Sequence, residues 1–265
     1  MRVWTMLAIV TFALGALRAE RPFELEAPEP LPENHMSVAI GAQFRDEPKD
    51  FALPNRDRQW NAPRLRLAIG LGGRAEIRLA GDAWRRSRVA GIAFEDSGDW
   101  IVSAKIRFWT SPSSGTSIGG VMAVKLPNAG DDKGLGTDET DTHLGLMLRQ
   151  SAGGGQFKLL GSLGILGDPR LPAAQNDVAL VAIGWHRPVG RHVVGIEYIW
   201  QAGPASDDDP ARARIAWAGL PAERWKPFAA LEIGLTKESD EGAVEAGVRR
   251  TFDLNALRRE RRERH

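Results

Sequence analysis

The sequence predicts an all-β chain: a transmembrane, antiparallel, up-and-down β-barrel of about twelve strands. Three observations carry the prediction. Apolar and polar residues alternate with a period of two from residue 36 to residue 252. The connections between alternating segments sort into short and long ones. Aromatic residues gather at segment ends rather than at their centres.

A strand turns its side chains over at every residue, so alternation means one apolar face and one polar face. In DWIVSAKIRFW, Trp100, Val102, Ala104, Ile106 and Phe108 share one face, and Ser103, Lys105 and Arg107 share the other. RLRLAIGL sets Leu65, Leu67, Ile69 and Leu71 against Arg64 and Arg66. RAEIRLA sets Ala75, Ile77 and Leu79 against Arg74, Glu76 and Arg78. The pattern places strands near 36–44, 63–72, 74–81, 98–108, 117–126, 140–150, 156–165, 177–187, 191–201, 210–218, 225–235 and 242–252. Many approach the ~9–11 residues that a tilted strand needs to cross a bilayer. Short connections fall at 72–73, 110–116, 151–155, 188–190 and 220–224, and long ones at 45–62, 82–97, 127–139, 166–176 and 202–209. Short periplasmic turns and longer outer loops are the habit of outer-membrane barrels.

The polar face carries Arg64, Arg66, Glu76, Arg78, Lys105, Arg107, Lys125, Arg149, Lys158, Glu197, Arg212, Arg214, Glu232, Glu245 and Arg249. Facing lipid, a midplane Arg or Lys would cost roughly 2–4 kcal/mol. A dozen such costs would exceed a typical fold stability of ~5–15 kcal/mol. These residues are therefore expected to line a wet lumen. Bases outnumber acids in this set, which favours a small anionic solute. The competing expectation is that Glu76, Glu197, Glu232 and Glu245 neutralise the bases in structural networks.

An aromatic girdle is expected at the two membrane interfaces, with Trp100 and Trp200 at the outer rim. Phe108, Trp109, Trp185, Trp217, Trp225 and Phe252 would sit at the periplasmic rim. Trp favours that zone because an apolar ring carries one polar edge.

Outside the barrel, residues 1–19 read as a cleaved export signal: Arg2, then the uncharged VWTMLAIVTFALGAL, then small residues. The apolar run falls short of the ~20 residues of a spanning helix. Residues 20–35 are rich in Pro and Glu and read as an extended periplasmic linker. Residues 36–252 form the barrel, and 253–265, DLNALRRERRERH, a charged periplasmic tail.

Composition excludes several functions. The 35 Lys and Arg nearly balance 34 Asp and Glu, so no charge excess points to nucleic acid. Cysteine is absent, which removes disulfides, thiolate metal sites and cysteine catalysis. No cofactor is expected. The acidic loop holding Asp131, Asp132, Asp138, Glu139 and Asp141 lacks an EF-hand spacing, so a solvated loop is expected there and no metal site. Of the five histidines, His35 and His265 lie in the linker and tail, His186 and His192 flank the short turn at 188–190, and His143 falls on the polar face beside the outer rim, where a hydrogen bond to loop carboxylates is expected. No G-x-S-x-G is present and no serine is singled out for a triad, so no enzyme is expected.

The stretch 98–150 resembles a known family. Gly98, Asp99, Trp100 and Lys105 precede a strand ending in Lys125, Leu126 and Pro127; Gly130, Asp131, Lys133, Gly134, Leu135, Gly136, Thr137 and Asp141 follow. This arrangement is similar to the outer-membrane barrel family of the MetA pathway of phenol degradation. The resemblance implies a Gram-negative outer-membrane β-barrel that takes up hydrophobic or aromatic compounds, and no catalytic residue carries over. The expected function is a passive channel or uptake protein for small aromatic or anionic solutes. A structural or recognition barrel without conductance is the alternative, and an outer-membrane lipid hydrolase the more distant one. Expected partners are outer-membrane lipid and lipopolysaccharide, the barrel-insertion machinery and an unidentified small solute.

Overall fold

The computed structural model describes residues 25–49, 57–130, 135–136, 138–167, 175–202, 209–219, 225–256 and 259. The expected signal at 1–19 and most of the charged tail lie outside these residues, as do Asp131 and Asp132.

Alternating segments become strands wherever the sequence keeps the period of two. They are β1 (His35–Asp46), β2 (Arg58–Leu71), β3 (Ala75–Asp82), β4 (Arg85–Val89), β5 (Ile92–Asp96), β6 (Trp100–Ser111) and β7 (Thr116–Leu126). They continue with β8 (Thr142–Ala152), β9 (Gly155–Gly167), β10 (Gln175–Val189), β11 (His192–Gln201), β12 (Ala211–Gly219), β13 (Lys226–Gly234) and β14 (Gly242–Asp253). Neighbours pair antiparallel in chain order, and β1 pairs with both β2 and β14. Twelve strands thus form a closed antiparallel barrel, β1–β3 with β6–β14. Closure matters because it leaves no unpaired edge inside a bilayer.

The hairpin β4–β5 is the departure from the expected topology. It lies in what was expected as the loop 82–97, and β4 pairs with the first residues of β2, Arg58 to Asn61. β2 in turn begins five residues before its expected start at 63, running through Pro63. Two residues, Ala62 and Pro63, there face one residue of β1 between Gly41 and Gln43. In such a bulge the missing N–H of proline costs no ladder bond.

The two ends of the barrel differ. At the turn end, β2–β3 and β8–β9 are joined by the glycine pairs Gly72–Gly73 and Gly153–Gly154, all with positive φ, as tight hairpins require. The first and last barrel strands meet there too, His35 opposite Asp253. The loop end carries the longer connections and the β4–β5 hairpin.

The outer face is apolar over its middle. Leu144, Leu146, Ile183, Ile196, Ile215 and Leu163, the last 70% exposed, point away from the axis. Residues one step along these strands, such as His143, Glu197 and Arg214, are buried. That inversion, greasy outside and charged inside, is the signature of a transmembrane barrel.

Candidate functional site: the barrel interior

All fifteen charged residues of the polar face lie on the inward side. Arg64, Glu76, Lys105, Lys125, Lys158, Glu197, Arg212, Arg214, Glu232 and Glu245 are buried, and Arg66, Arg78, Arg107, Arg149 and Arg249 are half-buried. The lumen is not simply filled with solvent, however. Side chains occupy much of it, and Arg212 is only 1% exposed.

Towards the loop end the charges are matched by carboxylates. The guanidinium of Arg45 donates twice to Asp240, at 2.8 and 3.0 Å. Arg64 donates to Asp82 at 2.8 Å, and Arg85 approaches the same carboxylate at 3.3 Å. Lys125 pairs with Asp141 at 2.6 Å, and Arg212 with Glu232 at 3.3 Å. Arg45, Asp82, Arg85 and Asp240 were not in the expected set. The first two follow from strand parity, whereas Arg85 and Asp240 lie in or beside connections, where parity gives no warning.

The loop at 127–139 was expected to be solvated; among its described residues Asn128 and Asp138 are exposed, while others are packed. Leu135 and Ala129 are buried, and Arg85 donates to the Leu135 carbonyl. The Asp99 carboxylate accepts from the amides of Asn128 and Ala129, both at 2.9 Å. Asp141 also accepts from the Gly167 amide at 3.0 Å. Gly98 is needed beside Asp99, since a Cβ there would lie 2.7 Å from the Cβ of Asp82. Asp99 of the family-like motif thus ties down the start of this loop at Asn128 and Ala129. No cluster of possible metal ligands forms among the described residues.

In the middle, part of the interior wall is apolar. Ile101, Val121, Ala123, Met147, Leu160, Leu180, Ala182 and Ile199 surround Leu25. Leu25 belongs to no strand. It begins the segment 25–34, which was expected as a periplasmic linker but lies inside the barrel. The Glu26 carboxylate receives Arg78 and, at 3.4 Å, Lys105. Lys105 also donates to the carbonyls of Ala27 and Glu29, at 3.3 and 2.9 Å. Glu29 receives the Ser117 hydroxyl and pairs with Arg149 at 3.1 Å. The Leu31 amide donates to Glu76 at 2.7 Å. Five residues of β3, β6, β7 and β8 therefore hold the segment, with Leu25 buried at its head.

Beside this segment, towards the turn end, lies a cavity of about 710 Å³. Its lining includes Glu26, Leu31, Ala39, Arg66, Arg78, Lys105, Lys158, Val193, Phe228 and Arg249, and its mouth includes His35, Thr251 and Asp253. Phe228 was not anticipated, although its parity with Ala230 and Glu232 places it inward. Its ring lies over Gly41 and Gly247, where a Cβ would come within 3.2 and 2.6 Å of it.

Among the described residues, the ring hydrogen bonds of His35 and His186 go to Glu33, Lys158 and Glu197 and not to a serine. His143, the second residue of β8 at the loop end, is buried against Gly164 of β9. His186 is buried, between Lys158 at 2.9 Å and Glu197 at 3.0 Å. His192 stacks on Trp217 at 4.4 Å at the turn end. The expected girdle residues all take outward positions. A bulge after Arg107 turns Phe108 and Trp109 outward together, 57% and 50% exposed. Trp225 meets Phe252 edge to face at 6.5 Å. Trp185 and Trp217 stand near the turn end, and Trp100 and Trp200 near the loop end.

No protein-family model matches the chain, and no curated protein matches it. The resemblance to the phenol-degradation family therefore rests on the motif at 98–150. Solved structures match in fold. The COG4313 outer membrane channel from Pseudomonas putida F1 aligns with a TM-score of 0.65 at 14% identity, over 87% of this chain and 100% of that one. The KdgM porin aligns with a TM-score of 0.52 at 12% identity, over 82% of this chain and 99% of that one. The NanC porin gives 0.51 at 8% identity, over 80% and 98%.

Proposed function

We propose that this chain is a passive channel or uptake protein of a bacterial outer membrane, for small solutes of aromatic or anionic character. One observation carries the reading: an apolar-belted barrel encloses a charged interior that still holds a cavity of about 710 Å³. A barrel serving only as an anchor has no need of such a cavity. The fold neighbours named as channels and porins support the reading, and so does the family-like motif. The turn end faces the periplasm, as short turns do in such barrels. The apolar belt meets lipid, the loop end meets lipopolysaccharide, and the insertion machinery of that membrane assembles the barrel.

The segment 25–34 obstructs the path, and it is not part of the wall. Its grip is mostly ionic, so it is the natural moving part. Planar-bilayer recording tests the reading. The full chain should give small unitary currents that favour anions. A variant lacking residues 25–34 should conduct several-fold more. Absence of current in both would end the channel reading.

A second reading has its own support. The β4–β5 hairpin extends past the belt with Ile92 62% exposed at its tip. A recognition role would be sensed there, by loss of a surface ligand or phage receptor activity on deleting 85–96 with the barrel intact.

A further inference from the structure

The lumen cavity contains two arginines that stand on one rung of the sheet. Arg249 of β14 is opposite Ala39 of β1, and Ala39 is opposite Arg66 of β2. All three line the cavity. Neighbouring strands lie ~4.8 Å apart, so the two arginine backbones are roughly 10 Å from each other with only a methyl group between them. That leaves a notch flanked by two guanidinium groups.

Their charges are not balanced locally. Glu245 is approached by Arg66, and also by Arg64 and Arg214, each at 3.6 Å. One carboxylate is shared among three guanidinium groups. Glu26 and Glu76, the nearest other acids, are taken by Arg78 and Lys105. Arg249 has no hydrogen bond and no ion pair among the described residues. A half-buried cation in a low-dielectric enclosure attracts an anion strongly.

The notch also has an apolar neighbour. Phe228 stands opposite Gly247, one inward step along β14 from Arg249. Its ring is 5.8 Å from the Arg66 guanidinium. Val193 and Leu31 line the same space. A fork of donors for a carboxylate beside a ring for an apolar body is the arrangement that small organic acids need.

We infer that Arg249 and Arg66, with Phe228 beside them, form a binding site for a small organic acid that carries one carboxylate and one apolar ring. The carboxylate takes Arg249 and the free side of Arg66, and the ring packs on Phe228. The inference deepens the channel reading by giving its solute a chemical class and a place, and it rests on that reading for its physiological meaning. The site lies on the turn-end side of the segment 25–34, so it is reached from the periplasm without moving that segment.

Calorimetry on the full chain in detergent tests the site independently of transport, with benzoate as probe. Benzamide, which keeps the ring and loses the charge, should bind at least tenfold more weakly. Acetate, which keeps the charge and loses the ring, should also bind at least tenfold more weakly. Arg249→Gln should weaken benzoate at least tenfold and leave benzamide unchanged. Phe228→Leu should weaken benzoate but not acetate. Arg86→Gln, on the exposed hairpin, should change nothing. Equal binding of benzoate and benzamide to the native chain would overturn the site, and this comparison needs no variant to fold. Benzoate binding unaffected by Arg249→Gln would overturn it too. Conductance without benzoate binding would sink the site and spare the channel; benzoate binding without conductance would do the reverse.

Discussion

The loop half and the turn half of the lumen hold the same residue types and use them differently. Near the loop end, arginines and lysines meet carboxylates at close range: Arg45 with Asp240, Arg64 with Asp82, Lys125 with Asp141, Arg212 with Glu232. Near the turn end, carboxylates from a non-strand segment reach in to Arg78, Lys105 and Arg149, and Arg249 is left over. A charge satisfied within the wall is architecture. A charge satisfied by a removable segment, or by no ion pair among the described residues, is available to something else. The comparison separates structural ionisation from functional ionisation, a distinction that strand parity alone cannot make.

Breaking the loop half should cost most. Asp240→Ala removes two hydrogen bonds from the buried guanidinium of Arg45 and frees the amide of Lys49, which also donates to that carboxylate at 3.2 Å. Removing one partner of a buried pair costs ~3–5 kcal/mol. Urea unfolding in detergent or lipid should show a loss of that size for the whole barrel. A loss below about 1 kcal/mol would mean that loop-end pairs are as dispensable as surface ones.

Leu25→Ala sharpens the comparison from the other side. Leu25 is 1% exposed among wall residues, and a large-to-small change at such a site costs ~2–5 kcal/mol. Here the cost should fall on docking of the segment and not on the barrel, because local opening is a separate equilibrium. Faster hydrogen exchange in residues 25–34 with an unchanged barrel unfolding midpoint is expected. A matching fall in global stability would make the segment part of the wall.

The docked segment should also respond to acid. Burial works against the charge of Glu26, and Arg78 and Lys105 overcome it and hold its pKa at about 2, down from 4.5. A carboxyl depressed on docking stabilises the docked form fully above its undocked pKa, and that help disappears as pH falls through the docked one. The segment should therefore hold above about pH 4.5 and loosen as the pH drops towards 2. Conductance of the native chain should rise across that window, and Glu26→Gln should be already raised and flat there. A rise that persists unchanged in Glu26→Gln would assign acid opening to another group.

Much of the wall was legible because parity is a strict code. Ser103, Lys105 and Arg107 could not turn outward without carrying their strand with them, and the same rule would have located Phe228 had apolar residues been read on the polar face. Pairing was not legible, since Arg45 and Asp240 are 195 residues apart. The hairpin at 85–96 escaped because RRSRV and IAFED are short, charged and separated by Ala90–Gly91, a turn without the Asn-Gly or Asp-Gly signal. The segment 25–34 escaped for a different reason. Its prolines and glutamates describe a chain that forms no secondary structure of its own, which is true of it inside the barrel as well. Composition says how a segment folds alone, and this one takes its position from partners on β3, β6, β7 and β8.

The smallest effect is the most discriminating. Arg249→Gln should leave urea unfolding of the barrel within about 0.5 kcal/mol of the native chain, because no ion pair is broken. A slight gain is the more natural sign, since the change removes repulsion from Arg66 while leaving the pair of Glu245 and Arg66 intact. Set against the ~3–5 kcal/mol expected at Asp240, this near-zero value would show that two arginine-bearing regions of one lumen differ in kind. A loss at Arg249 comparable with that at Asp240 would instead mean that its charge is already matched within the folded chain, and the distinction between the two halves would fail at the residue that defines it.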